Sequence, residues 1–279
     1  MSTSDTLRIL HLTDTHLYGD GSLHYGMVDT FAALRRVLDF AMDLEAVDLI
    51  VVSGDLSEDG SEASYRVLRD LIDPWAAARG AVVVYAMGNH DLRTNFEKVL
   101  GERDSVTTVH GFRILCLDSS VPGAGHGELS TEQLGWLRTQ LGEAAPNGAI
   151  VVLHHPPVPA STDLLKALEL RNPAELLMVC SMASVRLILA GHYHHIVATV
   201  EAGIQVIVAP AIANTSDVLG PRSTERAMVG AGFAFIQVPP VGAPRTVFVS
   251  VPGPDDGTEI FNLDATEVQR IIRTAGVSR

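Results

Sequence analysis

Asp48-Leu49-Ile50-Val51-Val52-Ser53-Gly54-Asp55 is the stretch on which the fold is read. Its four apolar residues, three of them β-branched, fit a strand buried on both faces. The run breaks at a glycine followed by a carboxylate. The pattern recurs outward along the chain. Leu7–Leu12 runs into Asp14-Thr15-His16, and Ala81–Ala86 into Gly88-Asn89-His90-Asp91. Ala149–Leu153 runs into His154-His155, and Val185–Leu189 into Gly191-His192-Tyr193-His194. Each polar cluster thus falls at a strand's carboxyl end, where open α/β sheets form their ligand sites. Val28–Leu44 carries Phe31, Leu34, Val37, Leu38 and Ala41 at helical spacing, and Ser61–Ala78 opens on a residue suited to cap a helix. The first ninety or so residues therefore predict β-α-β-α-β with parallel strands.

The middle changes character. Val106–Val109 and Arg113–Leu117 flank His110-Gly111 and predict a hairpin. Ser130–Leu141 predicts a capped helix, Pro156–Thr162 a proline-rich loop, and Asp163–Leu170 and Pro173–Ser181 short helices. Beyond Gly191, the segments Ile196–Val200, Gln205–Val208, Gly232–Val238 and Thr246–Val251 are strand-like with no long helices between them. They are expected to form a mainly antiparallel second sheet, followed by a helix over Asp264–Thr274. No repeat or composition break marks a linker. Residues 1–279 are therefore expected to form one α/β domain of two packed sheets with helices outside. The motifs lie within 8–195, with second-sheet strands and the terminal helix in 196–279.

Composition narrows the function. The chain is 279 residues long and 47% hydrophobic, yet no apolar run approaches the roughly 20 residues of a membrane span. Met1–Thr6 is polar and does not read as a secretory signal. Cys116 and Cys180 sit in apolar contexts, as buried free thiols would, and a cytoplasmic protein is expected. The net charge is −13, from 20 basic and 33 acidic side chains, and lysine occurs only at Lys98 and Lys166. That balance speaks against nucleic acid as partner. A phosphate substrate would be held mainly by bound cations, which reverse the local field.

The clusters supply carboxylate, imidazole and amide groups together. Taken singly, each also fits a turn or a helix cap. Asp14 and His16, two apart, share one side if the backbone is extended and could chelate one ion. An extended His192-x-His194 likewise places both rings on one face, with His195 pointing away. Gly88 allows a sharp turn, Asn89 offers a neutral oxygen, and Asp91 could fix the ring of His90. His154 is the preferred ligand of its pair, with His155 left to packing. Asp14, His16, Asp55, Asn89, His154, His192 and His194 can make two four-ligand sets only if one residue is shared, and the Asp55 carboxylate is the natural bridge. Nitrogen and oxygen ligands of this kind suit Mn, Fe, Zn or Co.

The ordered set D-x-H, G-D, G-N-H-D, H and G-H-x-H, over residues 8 to about 195, resembles the calcineurin-like metallophosphoesterase superfamily. Gly54-Asp55-Leu56-Ser57-Glu58-Asp59-Gly60, His126-Gly127-Glu128-Leu129, Gln133-Leu134-Gly135-Trp136-Leu137 and His154-His155-Pro156-Pro157 resemble its bacterial class III cyclic nucleotide phosphodiesterase group, mycobacterial-type members in particular. The chain departs from the protein serine/threonine phosphatases, which carry an arginine soon after Gly-Asp; here the next arginine after Asp55 is Arg66.

The resemblance implies a four-layer α/β/β/α sandwich of two mixed sheets flanked by helices. It assigns Asp14, His16, Asp55 and His194 to one metal, and Asp55, Asn89, His154 and His192 to the other, with Fe and Mn favoured over Zn or Co. His90 becomes the residue that meets the phosphate and protonates the leaving oxygen. It further implies a homodimer acting on 3′,5′-cyclic nucleotides. His16, Asn89, His90 and His194 would contact substrate. The loop Pro156–Asn172 is expected to cap the site, with His126, Asp163, Arg171 and Asn172 as further candidates for contact. The rival readings are a broader phosphodiesterase or phosphomonoesterase, for instance on glycerophosphodiesters or 2′,3′-cyclic nucleotides, a nuclease, and a scaffold without catalysis.

Overall fold

The computed structural model describes residues 6–275. The chain runs β1 (Leu7–Leu12), α1 (Thr30–Phe40), β2 (Leu49–Ser53), α2 (Glu62–Ala77), β3 (Val82–Ala86), α3 (Arg93–Leu100), β4 (Ser105–Val109) and β5 (Phe112–Cys116). It continues with α4 (Thr131–Leu141), β6 (Ala149–Val152), α5 (Asp163–Ala167), α6 (Pro173–Ser181), β7 (Val185–Ala190), β8 (Val197–Glu201) and β9 (Ile204–Val208). The last elements are β10 (Thr215–Ser216), β11 (Glu225–Met228), β12 (Ala231–Val238), β13 (Arg245–Val251), β14 (Glu259–Leu263) and α7 (Ala265–Ala275). Local capping explains several boundaries. Asp29 accepts from Ala32 N ahead of α1, and Ser61 accepts from Ser64 N ahead of α2. Ser130 and Gln133 form a reciprocal capping box on α4.

Two mixed sheets face one another. The first has the order β13-β12-β1-β2-β3 and the second β4-β5-β6-β7-β9-β8. Their buried strands alternate between two apolar environments. Leu10, Leu12, Ile50 and Val52 point to the helices outside the first sheet. Leu7, Ile9, Leu49 and Val51 meet Ile150, Val152, Leu187 and Leu189 between the sheets. Val151, Ile188 and Ala190 turn to α4 and α6 outside the second sheet. The result is the α/β/β/α sandwich, and it explains why these strands read as unbroken apolar runs.

The carboxyl-terminal half departs from expectation in placement. Residues 231–238 and 245–251 do not join the second sheet: β12 lies antiparallel beside β1, pairing Leu7 with Val238 and His11 with Ala234, and β13 forms the edge beyond it. Only β8 and β9 belong to the second sheet, and β9 runs parallel to β7. Apolar patterning marks β12 as a buried strand but carries no information about which sheet edge it covers. A third, small sheet, β10-β11-β14, has no counterpart among the expected strands. Its strands are short, with one or two faces polar. Helix α3 is likewise additional. Cys116 and Cys180 are free and buried. No described helix is long and apolar enough to cross a membrane.

His11 of β1 is fully buried, on the side of Leu7 and Ile9, with Nε2 and Ser53 Oγ 2.8 Å apart. Burial drives its imidazole down to about 3, against a small opposing pull from Asp14. The folded protein therefore holds His11 neutral, while the unfolded chain protonates it near its ordinary value of about 6.5. Stability tied to His11 is complete above that value and falls as pH drops through it. His11→Gln, which keeps a partner for Ser53 but cannot titrate, should flatten the acid limb. In urea titrations between pH 6.5 and 5, wild type should lose up to about 1.4 kcal/mol per pH unit more than the variant. Parallel curves would discard this account.

Candidate metal centre

The strand-end loops of both sheets converge. Asp14 and His16 follow β1, Asp55 follows β2, and Asn89 and His90 follow β3. His154 follows β6, and His192 and His194 follow β7. Asp14, His16, Asp55, His192 and His194 all have positive φ, between 42° and 71°. Neither D-x-H nor H-x-H is extended, contrary to expectation. In the left-handed region the chain doubles back at each ligand, so side chains two apart need no strand geometry to converge. Such backbone costs of order 1–3 kcal/mol per residue and persists only where surrounding structure fixes it. Here Asp14 N donates to Gly54 O at 3.0 Å, His16 N to Asp55 O at 2.9 Å, and Gly191 N to His154 O at 3.0 Å.

Two of the motif glycines serve space rather than rotation. A Cβ on Gly88 would collide with the Asp55 backbone and carboxylate, and one on Gly191 with Thr13 Oγ1 and Asp14 Oδ2. Neither has positive φ, so the sharp turn expected at Gly88 is not its role. Each lets a neighbouring ligand loop come into contact.

The groups brought together fall into two overlapping sets. Asp14, His16 and His194 place one ligand atom each within 4.8 Å of one another, and so do Asp55, His154 and His192. His194 Nε2 is 3.3 Å from Asp14 Oδ1 and 3.2 Å from His16 Nε2. Asp55 Oδ2 lies 3.2 Å from His154 Nε2 and 3.7 Å from His16 Nε2, reaching both sets, as a bridge would. Asn89 Oδ1 is buried and has no hydrogen-bond partner.

Hydrogen bonds behind the rings decide which nitrogen is left for a cation. His154 Nδ1 is 2.9 Å from Ser53 O, His16 Nδ1 is 2.7 Å from Glu58 Oε2, and His192 Nε2 is 3.0 Å from Leu168 O. Each of those nitrogens must carry the proton, since its neighbour can only accept. That leaves Nε2 of His154, Nε2 of His16 and Nδ1 of His192 as the nitrogens that can turn to a cation once any second proton is displaced. His155 and His195 are spent inside the protein, on Ser119 with Gly125 and on Tyr193 with Ser161.

Charge is concentrated here. Burial alone pushes the Asp14 and Asp55 carboxyls up, but nearby imidazoles hold both well below the ordinary carboxylate range. Burial pulls His154 down, while Asp55 and Asp14 raise it to about 9. Burial and His154 hold His192 down to about 3. Against burial, Asp55 and Glu58 lift His90 to about 10. Two ionised carboxylates, imidazole nitrogens and an unpartnered amide oxygen fit hard or borderline divalent cations.

Glu58 was not among the expected site residues. Its Oε2 accepts from His16 Nδ1 and lies 3.0 Å from His90 Nδ1. It therefore does what was expected of Asp91. The Asp91 carboxylate instead accepts from the backbone N–H groups of Leu56, Ser57 and Gly88, tying the β2 and β3 loops together. The signal for Glu58 was its place three residues after Asp55 in the Gly-Asp loop.

An open cleft above the ligands is lined by His16, Asp55, Asn89, His90, His192 and His194. Leu164, Leu165 and Leu168 of the expected capping loop line it too, with His24, Tyr25, Asn214, Ser216, Glu225 and Phe261. His126, Asp163, Arg171 and Asn172 do not. Arg171 is exposed and donates to Ala167 O, and Asn172 bonds the Leu129 backbone with both side-chain atoms. The side chains of Arg171 and Asn172 thus serve loop architecture rather than the cleft.

The comparisons agree with this geometry. Residues 7–195 match the family model for calcineurin-like phosphoesterase. The chain is 41% identical to a cAMP/cGMP dual specificity phosphodiesterase of Mycobacterium tuberculosis (strain CDC 1551 / Oshkosh), over 80% of this chain and 73% of that one. It is 35% identical to a 3′,5′-cyclic adenosine monophosphate phosphodiesterase of Pseudomonas aeruginosa, over 69% and 71%. A dimetal phosphatase from Danio rerio shares the fold, with a TM-score of 0.58 at 15% identity, covering 88% of this chain and 99% of that one. With the motifs, the two sheets and the converging ligands in agreement, the chain belongs to the calcineurin-like phosphoesterase family.

Proposed function

We propose that the protein is a metal-dependent phosphodiesterase that hydrolyses 3′,5′-cyclic nucleotides, cAMP and cGMP, to 5′-nucleotides. The observation that carries this reading is the gathering of Asp14, His16, Asp55, His154, His192 and His194 into clusters of candidate ligand atoms beside one cleft, with Asn89 and His90 on its wall. The relatives named above, cyclic nucleotide phosphodiesterases by name, support the substrate class.

The family implies a dinuclear centre. Asp14, His16, Asp55 and His194 would hold one cation and Asp55, Asn89, His154 and His192 the other; the mixed imidazole and carboxylate donors suit Mn, Fe, Zn or Co, with Fe and Mn the ions expected from the family. Bound there, the ions supply positive charge for the phosphate oxygens and lower the pKa of water. The chain's own residues do the rest. Asp55 holds the His90 loop in place by accepting from His90 N at 2.9 Å. Glu58 keeps the proton on His90 Nδ1 and sets the ring, which leaves Nε2 for substrate. Water adds to phosphorus and the P–O3′ bond breaks; His90 Nε2–H gives its proton to the departing O3′, and the proton released by the water restores His90 at the end of the turnover. Leu164 and Leu168 cover one side and limit access of bulk water. The proposal extends to a homodimer in the cytoplasm. The free thiols of Cys116 and Cys180 suit a reducing compartment, and sedimentation velocity on the full chain checks the oligomeric state.

His90→Ala should lower kcat on cAMP by about 10²–10⁴-fold. On a diester with a p-nitrophenolate leaving group, which departs without a proton, the loss should be much smaller. Equal losses on both substrates would remove the acid role. Glu58→Ala should fall short of His90→Ala on cAMP, and the double variant should lose less than the two single losses combined, because Glu58 acts in part through the His90 ring and in part through His16. Additive losses would separate the two residues.

Chelation tests the centre itself. Asp14 and Asp55 are buried, ionised and of like sign, so removing cations leaves them mutually repelling. Stripping the metal should lower the midpoint of thermal unfolding by roughly 5–15 °C, consistent with about 3–4 kcal/mol of ligand-linked stability. Mn should restore it, and Asp55→Asn should show a distinctly smaller response. An unchanged midpoint, with no metal found by elemental analysis, would count against the reading.

A further inference from the structure

The cleft continues past the metal-ligand residues onto a wall made by segments that carry none of them. Tyr25 comes from the loop ahead of α1, Phe261 from β14, and Leu164 and Leu168 from α5 and the turn after it. Glu225 opens β11, and Asn214 immediately precedes β10. Tyr25 and Phe261 meet edge to face, with ring centroids 5.1 Å apart and planes at 67°. Tyr25 is 57% exposed despite its size. An aromatic pair that stays open toward a cleft also lined by Leu164 and Leu168 makes a slot for something flat and apolar-faced.

The polar groups in the slot are short of partners. Glu225 is 3% exposed; Thr162 Oγ1 donates to its Oε2 at 2.6 Å and the Ser216 hydroxyl also lies against the carboxylate, while Oε1 is buried with no well-formed hydrogen bond. Asn214 is 4% exposed, and its Oδ1 also has none. Buried acceptors left empty are costly and rare in folded proteins. Both atoms are oxygens, so the missing partner brings N–H or O–H groups. The wall is also in fixed register with the ligand cluster. Ala213 N donates to Asp14 O at 3.0 Å, and Ser216 N donates to His194 O at 2.9 Å, on either side of Asn214.

We propose that this wall is the base subsite of the cleft, with the Tyr25–Phe261 pair and the two leucines against the ring and Glu225 Oε1 accepting from an exocyclic amine of the base. The ligand is then a nucleotide whose base carries such an amine, adenine, guanine or cytosine, rather than any small diester. The inference rests on the phosphodiesterase reading given above and adds the source of its selectivity, in a segment beyond the five motifs.

Three substrates test it: cAMP, purine riboside 3′,5′-cyclic phosphate, which lacks only the 6-amino group, and bis(p-nitrophenyl) phosphate, which lacks a base. Wild type should favour cAMP over the deamino analogue by roughly tenfold in kcat/KM, through KM. Glu225→Met, of similar length but without an acceptor, should bring that preference to about one. It should lower the cAMP-to-diester ratio of kcat/KM by the same factor. Phe261→Leu should raise KM for both nucleotides severalfold and keep the preference between them. Equal losses on all three substrates with Glu225→Met would make Glu225 a structural residue and overturn the subsite. So would a wild-type enzyme that turns over both nucleotides equally well. Wild-type turnover of the diester and of neither nucleotide would instead refute the underlying substrate reading.

Discussion

Two carboxylates, Asp14 and Asp55, lie buried side by side among imidazoles, and most of the structure around them exists to make that tolerable. An isolated buried charge is expensive, and two of like sign more so. Compensation must come from cations, from imidazoles, or from both. The loops that supply the imidazoles come from two different sheets: Asp14, His16, Asp55, Asn89 and His90 from the first, and His154, His192 and His194 from the second. The distance across the site is therefore set by how the sheets pack. The apolar layer of Leu7, Ile9, Leu49 and Val51 against Ile150, Val152, Leu187 and Leu189 acts as the spacer. Because side chains alternate along a strand, a slip of one residue in β1 against β2 would expose the wrong face to that layer and carry Asp14 away from Asp55.

The same constraint accounts for the backbone. Left-handed conformations at Asp14, His16, Asp55, His192 and His194 are unfavourable taken singly. Loop-to-loop hydrogen bonds hold them, and Gly88 and Gly191 allow the contact by presenting no side chain. Glu58 then orients two rings with one carboxylate. It sits 2.7 Å from His16 and 3.0 Å from His90, so a candidate cation ligand and the ring proposed to meet substrate share one anchor.

Much of this was legible in the chain before any coordinates. The strand runs, the caps at Ser61 and Ser130, and the seven converging residues follow from local pattern, because apolar periodicity and strand-end chemistry are local properties. What escaped reading is non-local. The pairing of β12 with β1 joins residues more than two hundred positions apart, and nothing in Gly232–Val238 names its neighbour. The role of Asp91 went to Glu58 because hydrogen bonds to three backbone N–H groups leave no mark in the sequence. His126 and Arg171 were expected at the cleft for their chemistry alone, and their loops carry them elsewhere. Tyr25, Asn214, Glu225 and Phe261 were invisible for the opposite reason. They are widely separated, belong to no motif, and acquire meaning only when the small third sheet closes over the cleft.

The position of β12 has a consequence for synthesis of the chain. A ribosome that has delivered the first two hundred residues has delivered all seven candidate metal ligands, yet β1 still presents an edge that β12 has not yet covered. That edge is covered only when Ala231–Val238 emerges. Until then the nascent protein holds a complete set of ligand side chains on an unfinished sheet, with a template for strand addition beside them. Ala231–Val238 thus closes the free edge of the first strand, a pairing whose long sequence separation carries a high loop-closure cost.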